Sequence, residues 1–261
     1  MKKICVVSLV LIIAGSAASA EGINIVGTGA GMSVLKEIGA DFMKVTPTVQ
    51  IVVPASIGSG GGITAVGKDQ EKLGRISRKL KDSESSLGLT YVEIAKLPIV
   101  FYVNRGVGVK KLTTAQILDI YTGKTKNWKT VGGTDLPIIV MRREKGDSSL
   151  EVLTSLIPGF SDETITKEAV TLLTDTEATS RAAVTPGAIG FGTLANAATA
   201  KLDVLTMDNV EPSNPNYRYL GALAIIYKQA NYTGNIKAFI DFAASKKANA
   251  AIARSHCLPV Y

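Results

Sequence analysis

The chain has 261 residues, of which 46% are hydrophobic and 20% charged, and its formal net charge is +7 with a single histidine. Lysines and arginines are scattered and aromatic residues make up only 6%, so the sequence lacks the clustered basic face with stacking aromatics that nucleic-acid binding requires. A mild positive charge favours a small anionic ligand instead, and no Cys/His cluster has metal-ligand spacing, so we expect neither a metal nor a cofactor.

The first 20 residues have the pattern of an export signal. Two lysines precede an apolar run over residues 4–14, and Ala18-Ser19-Ala20 supplies the small residues that a signal peptidase requires. This run is shorter than the roughly 18 residues of a membrane span, and no later stretch reaches that length. We therefore expect cleavage after Ala20 and a soluble, periplasmic mature protein that begins at Glu21. Cys257 would then be the only cysteine, so no internal disulfide is expected.

After the signal, short apolar strands alternate with helices that carry apolar residues on one face. Strands are predicted over residues 23–26, 49–54 and 73–77, and helices over residues 32–45 and 63–68. This alternation indicates parallel βαβ units. Ligands of open parallel sheets bind beyond the carboxyl ends of the strands, so the turns at those ends are the candidate site.

The second half repeats the alternation. Residues 97–103 are apolar on both faces, as in a central strand, and residues 104–108 break the pattern, which we interpret as a crossing between two lobes. Further predicted elements are a helix with a capping box at 113–116, strands over 136–141, 201–207 and 217–227, a short strand within 186–192, and helices over 147–157 and 235–254. A return near Tyr217 gives one lobe of residues 21–104 and 216–261 and a second lobe of residues 105–215.

Three turns rich in small residues each follow a predicted strand and precede a predicted helix. They span residues 27–32, 56–63 and 143–149. Glycines let the backbone approach a ligand with its N–H groups, and a helix N-terminus adds partial positive charge. Ser59 adds a hydroxyl. Any one of these could be a turn without a ligand, but three of them at strand ends predict a shared anion site.

Several motifs together resemble a known family. They are the run from Ser56 to Gly62, residues 112–116, Tyr121-Thr122-Gly123-Lys124, Asn127-Trp128, Gly132-Gly133, and Arg143 with Gly146. In this combination the chain resembles the periplasmic phosphate-binding proteins of phosphate ABC importers over nearly all of its mature length. The resemblance implies an α/β, two-lobed venus-flytrap fold of type II periplasmic-binding-protein topology, with mixed, mostly parallel sheets flanked by helices. It also implies a monomer that closes around a dehydrated oxyanion, delivers phosphate to a membrane permease and catalyses no reaction.

The resemblance further implies which residues bind the ligand. Ser59 matches the family's serine in its glycine-rich loop, and Arg143 matches its phosphate-contacting arginine. Ser77 stands where many relatives have an aspartate that accepts the ligand's proton. The full set of expected ligand-binding residues is Ala30, Gly31, Met32, Ser59, Gly60, Gly61, Ser77, Arg78, Arg143, Asp147, Ser148 and Ser149.

Charged residues around this set allow more than one interpretation. Asp147 can cap its helix or orient Arg143, or it can accept the proton of hydrogen phosphate in place of Ser77. Arg142 and Arg143 are neighbours on a strand, so only one can face the cleft, and the resemblance favours Arg143. Arg75 and Arg78 could instead be surface or inter-lobe charges.

Other classes of function fit the sequence less well. The glycine turn at 27–31 lacks Gly-x-Gly-x-x-Gly spacing, and no P-loop lysine follows a glycine run. A serine hydrolase needs a base, and the single histidine, His256, lies beside Cys257 near the C-terminus. A binder of another oxyanion such as sulfate or molybdate, and a phosphate scavenger or sensor without a transporter, stay open as alternatives.

Overall fold

The computed structural model describes residues 21–261, so the predicted export signal lies outside the described residues. The strands are β1 (Glu21–Gly27), β2 (Val49–Val52), β3 (Leu73–Ile76), β4 (Leu89–Val103), β5 (Lys111–Leu112), β6 (Ile139–Arg143), β7 (Val170–Leu172), β8 (Ala188–Thr193), β9 (Asp203–Val204), β10 (Thr206–Met207), β11 (Leu220–Lys228) and β12 (Leu258–Pro259). The α-helices are α1 (Met32–Val45), α2 (Gly58–Gly67), α3 (Thr114–Tyr121), α4 (Ser148–Leu156), α5 (Asp175–Val184), α6 (Leu194–Thr199), α7 (Gly234–Ala243) and α8 (Asn249–Arg254).

Paired strands form one path in the order β2-β1-β3-β11-β4-β8-β6-β7. β1 pairs in parallel with β2 and β3, and β6 pairs in parallel with β7 and β8. The 15-residue β4 joins the two groups, since its first part pairs with β11 and its last part with β8, both antiparallel. The helices pack against these strands. The predicted α/β class, with mostly parallel strands flanked by helices, is confirmed.

The two halves share one connection pattern. The first runs β1-α1-β2-α2-β3 and the second runs β6-α4-β7-α5-β8, and in each half the first strand in sequence lies between the other two. Parallel strands place their carboxyl ends at one edge of the sheet. The turns after β1, β2, β6 and β7, and the helix N-termini that they lead into, therefore lie at the edges where a ligand would bind.

Two predicted helix features agree closely with the structure. α1 spans residues 32–45 as predicted, because Leu35, Ile38 and Phe42 recur on its buried face. The capping box of α3 is formed: the Gln116 N–H donates to Thr113 Oγ1 at 3.2 Å, and the Thr113 N–H donates to Gln116 Oε1 at 2.9 Å.

Other boundaries differ for identifiable reasons. α2 begins at Gly58 rather than at residue 63, because glycines lack the apolar periodicity that marks a helix in sequence. One of them, Gly62, packs closely on β1: a Cβ there would lie 2.9 Å from Gly27 Cα. The predicted helix over 235–254 is divided into α7 and α8 by a 3-10 turn that the Ser245 side chain caps. The predicted strand over 201–207 forms two short strands, β9 and β10.

The sequence patterns predict neither α5 nor α6. The buried face of α5 is made of Asp175, Ala178, Thr179 and Ala182, which give little apolar periodicity. α6 is only 6 residues long and rich in alanine. β4 also begins eight residues earlier than predicted, at Leu89, because its first residues are only partly buried and do not form an apolar run.

Motifs that carry the family resemblance outside the turns have structural roles. Tyr121 is buried in an aromatic cluster with Phe101, Phe160 and Phe191. The fully buried Trp128 donates its indole N–H to the Gly187 carbonyl at 2.8 Å. The Tyr121 hydroxyl also donates to the Met141 carbonyl at 3.4 Å, so the aromatic cluster links β4, β6 and β8.

We predict opposite effects of alanine at two glycines of α2. A Cβ on Gly60 would have no heavy atom within 4 Å, so Gly60→Ala should raise the free energy of unfolding by up to about 1 kcal/mol through helix propensity. Gly62→Ala would press on the β1 backbone and should lower it by about 1–3 kcal/mol. Urea unfolding of the ligand-free proteins, followed by circular dichroism, measures both. Equal stabilities would show that the close approach of α2 to β1 does not constrain the fold.

Candidate functional site

A cavity of about 260 Å³ lies where the turns after β1, β2, β6 and β7 meet. Its walls come from both halves of the chain. The lining residues are Thr28, Gly29, Ala30, Ser56, Ile57, Gly58, Ser59, Gly60, Gly61, Arg143, Glu144, Lys145, Gly146, Asp147, Ser148, Leu173 and Asp175. The three predicted turns therefore converge, together with a fourth turn before α5 that sequence patterns did not identify.

Hydroxyl groups link the turns of the first half to each other and to the second half. Thr28 Oγ1 lies 3.1 Å from Ser77 Oγ, and the Ser77 N–H donates to Ser59 Oγ at 3.2 Å. Ser59 Oγ is in turn 3.2 Å from Ser148 Oγ, at the start of α4. All four residues are at least nine-tenths buried. Small hydroxyl donors from both halves thus lie within one hydrogen bond of each other at the cavity.

Arg143 supplies a positive charge to the cavity wall. Its Nη2 donates to Asp147 Oδ2 at 2.8 Å and to the Leu173 carbonyl at 3.0 Å. Its Nε and Nη1 are buried and have no hydrogen-bond partner within residues 21–261. Buried donors of this kind are expensive to leave unpaired, so they indicate a ligand with acceptor atoms.

The neighbouring arginine points elsewhere, as the strand alternation requires. Arg142 pairs with Asp162 and does not line the cavity. The choice of Arg143 as the cavity arginine agrees with this placement.

Both carboxylate oxygens of Asp147 already have partners. Oδ1 accepts the N–H groups of Ser149 and Leu150, each at 3.0 Å, and Oδ2 accepts from Arg143. These are the contacts of a helix N-cap that also orients an arginine. Asp147 lines the cavity as well, so a contact with a ligand stays a hypothesis.

Asp175 is a buried acid that the sequence analysis did not identify. Its Oδ2 accepts from the Thr193 N–H (3.2 Å), Thr193 Oγ1 (2.7 Å) and Asn196 Nδ2 (2.7 Å). Its Oδ1 is buried and unpaired among the described residues, in space that a Cβ on Gly192 would fill, at 1.9 Å. Burial raises the pKa of this carboxyl group, with a smaller opposing effect from hydrogen bonds to Thr193.

Seven of the twelve sequence-predicted ligand-binding residues line the cavity. They are Ala30, Ser59, Gly60, Gly61, Arg143, Asp147 and Ser148. Ser77 and Ser149 lie one contact behind it, through Ser59 and Asp147 respectively.

The remaining three predicted residues do not line the cavity. The Cβ side of Gly31 lies against the core, where an added Cβ would meet Leu223 at 2.2 Å. Met32 lines a separate groove with Asn196 and His256. Arg78 forms a two-pronged ion pair with Glu84, at 2.9 and 2.7 Å, and does not line the cavity. A partner six residues away in a loop gives no periodic signal, which is why sequence patterns could not exclude Arg78.

Two other classes of site find no support in the described part of the chain. Residues 21–261 contain no group of three or more His, Cys, Asp or Glu side chains that could hold a metal ion. No helix among them is long and apolar enough to cross a membrane.

We predict a pH-dependent effect of removing the Asp175 carboxylate. The pKa of Asp175 is raised above its ordinary value of 3.8 by burial, with Asp147 adding to the rise and Arg143 opposing it. At pH values between the unfolded-state pKa and the higher folded-state pKa of Asp175, the folded state binds more protons than the unfolded state. The contribution of Asp175 to the free energy of unfolding therefore falls as pH rises through this range. In ligand-free Asp175→Asn the free energy of unfolding should therefore become progressively larger than that of the unsubstituted protein as pH rises above about 4, the ordinary pKa of this group. Urea unfolding at several pH values measures this difference, and parallel curves would contradict the prediction.

Comparison with known proteins identifies the family. A model described as a PBP superfamily domain matches residues 13–247. The phosphate-binding protein PstS of Bacillus subtilis (strain 168) is 27% identical over 238 residues, which cover 89% of this chain and 78% of that protein.

Solved structures give the same result. A Clostridium perfringens protein, assigned as a phosphate ABC transporter substrate-binding protein and crystallised with bound phosphate, is 30% identical with a TM-score of 0.83, covering 92% of this chain and 100% of that one. An ABC-type phosphate transport receptor from Vibrio cholerae is 23% identical with a TM-score of 0.66, covering 90% of this chain and 99% of that one, and supports the fold alone. The predicted fold is confirmed, and the chain belongs to the PBP superfamily of two-lobed, non-enzymatic substrate-binding proteins.

Proposed function

We propose that this protein is an extracytoplasmic solute-binding protein that captures inorganic phosphate and delivers it to the permease of an ABC importer. The observation that carries the proposal is Arg143, whose Nε and Nη1 are buried at the cavity without a partner among the described residues. Nε carries one N–H group and Nη1 carries two, and an oxyanion offers several acceptor oxygens to such charged donors. The N-termini of α2, α4 and α5 at the cavity add partial positive charge.

The relatives favour phosphate among the oxyanions. The Bacillus subtilis relative is a phosphate-binding protein, and the Clostridium perfringens structure holds phosphate. The carboxylates at the cavity also favour phosphate, because hydrogen phosphate can donate a hydrogen bond to a carboxylate and sulfate cannot. Asp175, with one unpaired oxygen, has more capacity to accept that hydrogen bond than Asp147, whose two oxygens have partners.

Phosphate capture would involve closure of two lobes. We assign residues 21–104 and 216–261 to one lobe and residues 105–215 to the other. Contacts that span the cleft between them include Ser59 Oγ to Ser148 Oγ at 3.2 Å and the ion pair of Lys81 with Glu151 at 3.0 Å. Such contacts fit a closed arrangement. Export by a signal cleaved after Ala20, a periplasmic location and a monomeric state complete the proposal.

Calorimetric titration tests the ligand class. Phosphate should bind at one site, and more tightly than sulfate, molybdate or a small organic acid, with no product detected after prolonged incubation. Tight binding of the organic acid alone would contradict the proposal. Co-purification with a membrane permease would separate an importer subunit from a free-standing scavenger.

Substitutions at the cavity should weaken phosphate binding in a fixed order. A hydrogen bond to a charged group contributes about 1.5–3 kcal/mol, so Ser59→Ala should weaken binding by roughly 10- to 100-fold. Arg143→Ala should weaken it more, because the anion then faces Asp147 and Asp175 without this counter-charge. Arg142→Ala is the matched control, since Arg142 pairs with Asp162 outside the cavity, and it should leave affinity within about twofold. A harmless Arg143→Ala beside a damaging Arg142→Ala would reverse the assignment.

A further inference from the structure

The charges that line the cavity do not by themselves favour an anion. Arg143 and Lys145 are positive, whereas Glu144, Asp147 and Asp175 are acidic. The charge of Arg143 is also opposed directly by Asp147, at 2.8 Å. An anion with two negative charges therefore needs further positive charge close by.

Arg75 lies immediately behind the turns of the first half. It is on β3, is completely buried, and has no ion-pair partner among the described residues. Burial alone lowers its pKa to about 10, so it stays charged at neutral pH. A buried cation without a carboxylate partner is unfavourable unless another group balances it.

The guanidinium of Arg75 donates only to backbone carbonyls. Nε donates to the Thr28 carbonyl at 2.7 Å, Nη2 to the Pro54 carbonyl at 2.8 Å, and Nη1 to the Ile25 carbonyl. Thr28 follows β1 and Pro54 follows β2, so one side chain connects the two turns that form the first half of the cavity.

These contacts also set the direction of the N–H groups. Every peptide bond in the described chain is trans, so the carbonyl and N–H of one peptide unit point to opposite sides. Arg75 holds the Thr28 carbonyl inward, which turns the Gly29 N–H the other way, and Gly29 lines the cavity. The Pro54 carbonyl likewise fixes the peptide unit of Ala55, which immediately precedes Ser56 of the cavity wall.

We infer that Arg75 is a positioning residue of the anion site, which turns the first two loops toward the ligand and supplies the positive charge that balances it. The inference rests on the proposed function only in the choice of phosphate as the probe. Arg75 does not touch the ligand, because the Thr28 and Pro54 peptide units lie between them.

The test compares three variants by phosphate calorimetry. Arg75→Gln keeps donor atoms but removes the charge, and it should weaken binding at least tenfold. Arg75→Lys keeps the charge and should recover most of that loss. Arg142→Gln is the matched control, an arginine-to-glutamine change away from the cavity, and should bind within about twofold of the unsubstituted protein.

Ligand charge separates an electrostatic role from a structural one. Phosphate carries about one negative charge near pH 5 and about two near pH 8.5. The factor by which Arg75→Gln weakens phosphate binding should therefore be several-fold larger near pH 8.5 than near pH 5. An equal factor at both pH values, or Arg75→Gln binding as well as the unsubstituted protein, would overturn the inference.

If Arg75→Gln does not fold, the unsubstituted protein still gives an answer. The Nε–H resonance of Arg75, assigned through Arg75→Lys, should shift when phosphate saturates the site, and an unchanged resonance would overturn the inference. Failure of the unsubstituted protein to bind phosphate would defeat the proposed function instead. The Arg75 titrations would then use sulfate, and absence of binding to both anions would overturn both proposals.

Discussion

Arg143 is anchored through a single guanidinium nitrogen, Nη2, which donates to Asp147 and to the Leu173 carbonyl. This anchorage leaves Nε and Nη1 free and fixes where they lie. Because Asp147 also caps α4, the position of the arginine depends on the start of that helix and on the end of β7. The candidate anion site is therefore only as rigid as the junction of β6, β7 and α4, and the aromatic cluster around Tyr121, whose hydroxyl donates to the Met141 carbonyl of β6, supports that junction.

The repeated βαβαβ connection explains why the site forms between the two halves. Each half brings two strand ends and two helix starts to one edge, and β4 joins the halves so that these edges face each other. The halves place their arginines differently. The second half presents Arg143 at the cavity wall, whereas Arg75 of the first half lies beneath its turns and acts on carbonyl groups. The first half contributes the backbone of its turns and the Ser59 side chain to the cavity wall.

Sequence patterns predicted the features that depend on periodicity and turn chemistry. α1 and the capping box at Thr113 follow from local spacing, and the glycine-rich turns follow from the residues that a close backbone approach requires. The alternation of side chains along a strand also predicted that Arg142 and Arg143 lie on opposite faces of β6, with only one at the cavity. α5 was not predicted because alanine and threonine on its buried face give no apolar stripe.

Residues whose role depends on tertiary contacts could not be assigned in this way. Asp175 has the appearance of an ordinary residue at a helix start, and only its contacts with Thr193 and Asn196 reveal a buried acid. Arg75 could equally have been a surface charge, since the carbonyls that bind it come from residues 21 to 50 positions earlier. Arg78 is the opposite case: sequence patterns allowed it as a ligand contact, and its ion pair with Glu84 holds it away from the cavity.

Acidic residues beside a candidate anion site affect both the affinity and the selectivity of binding. A carboxylate near the ligand repels every anion. Only an anion that donates a hydrogen bond to the carboxylate offsets this repulsion, so the carboxylate increases selectivity between anions and lowers affinity. Asp147 and Asp175 both line the cavity, so a bound anion would meet this effect there. Affinity for phosphate would then need more positive charge than a single anion requires, and on our proposals Arg143, Arg75 and the helix N-termini together provide it. On these proposals the number of positive groups around the cavity depends on its acidic residues as well as on the charge of the anion.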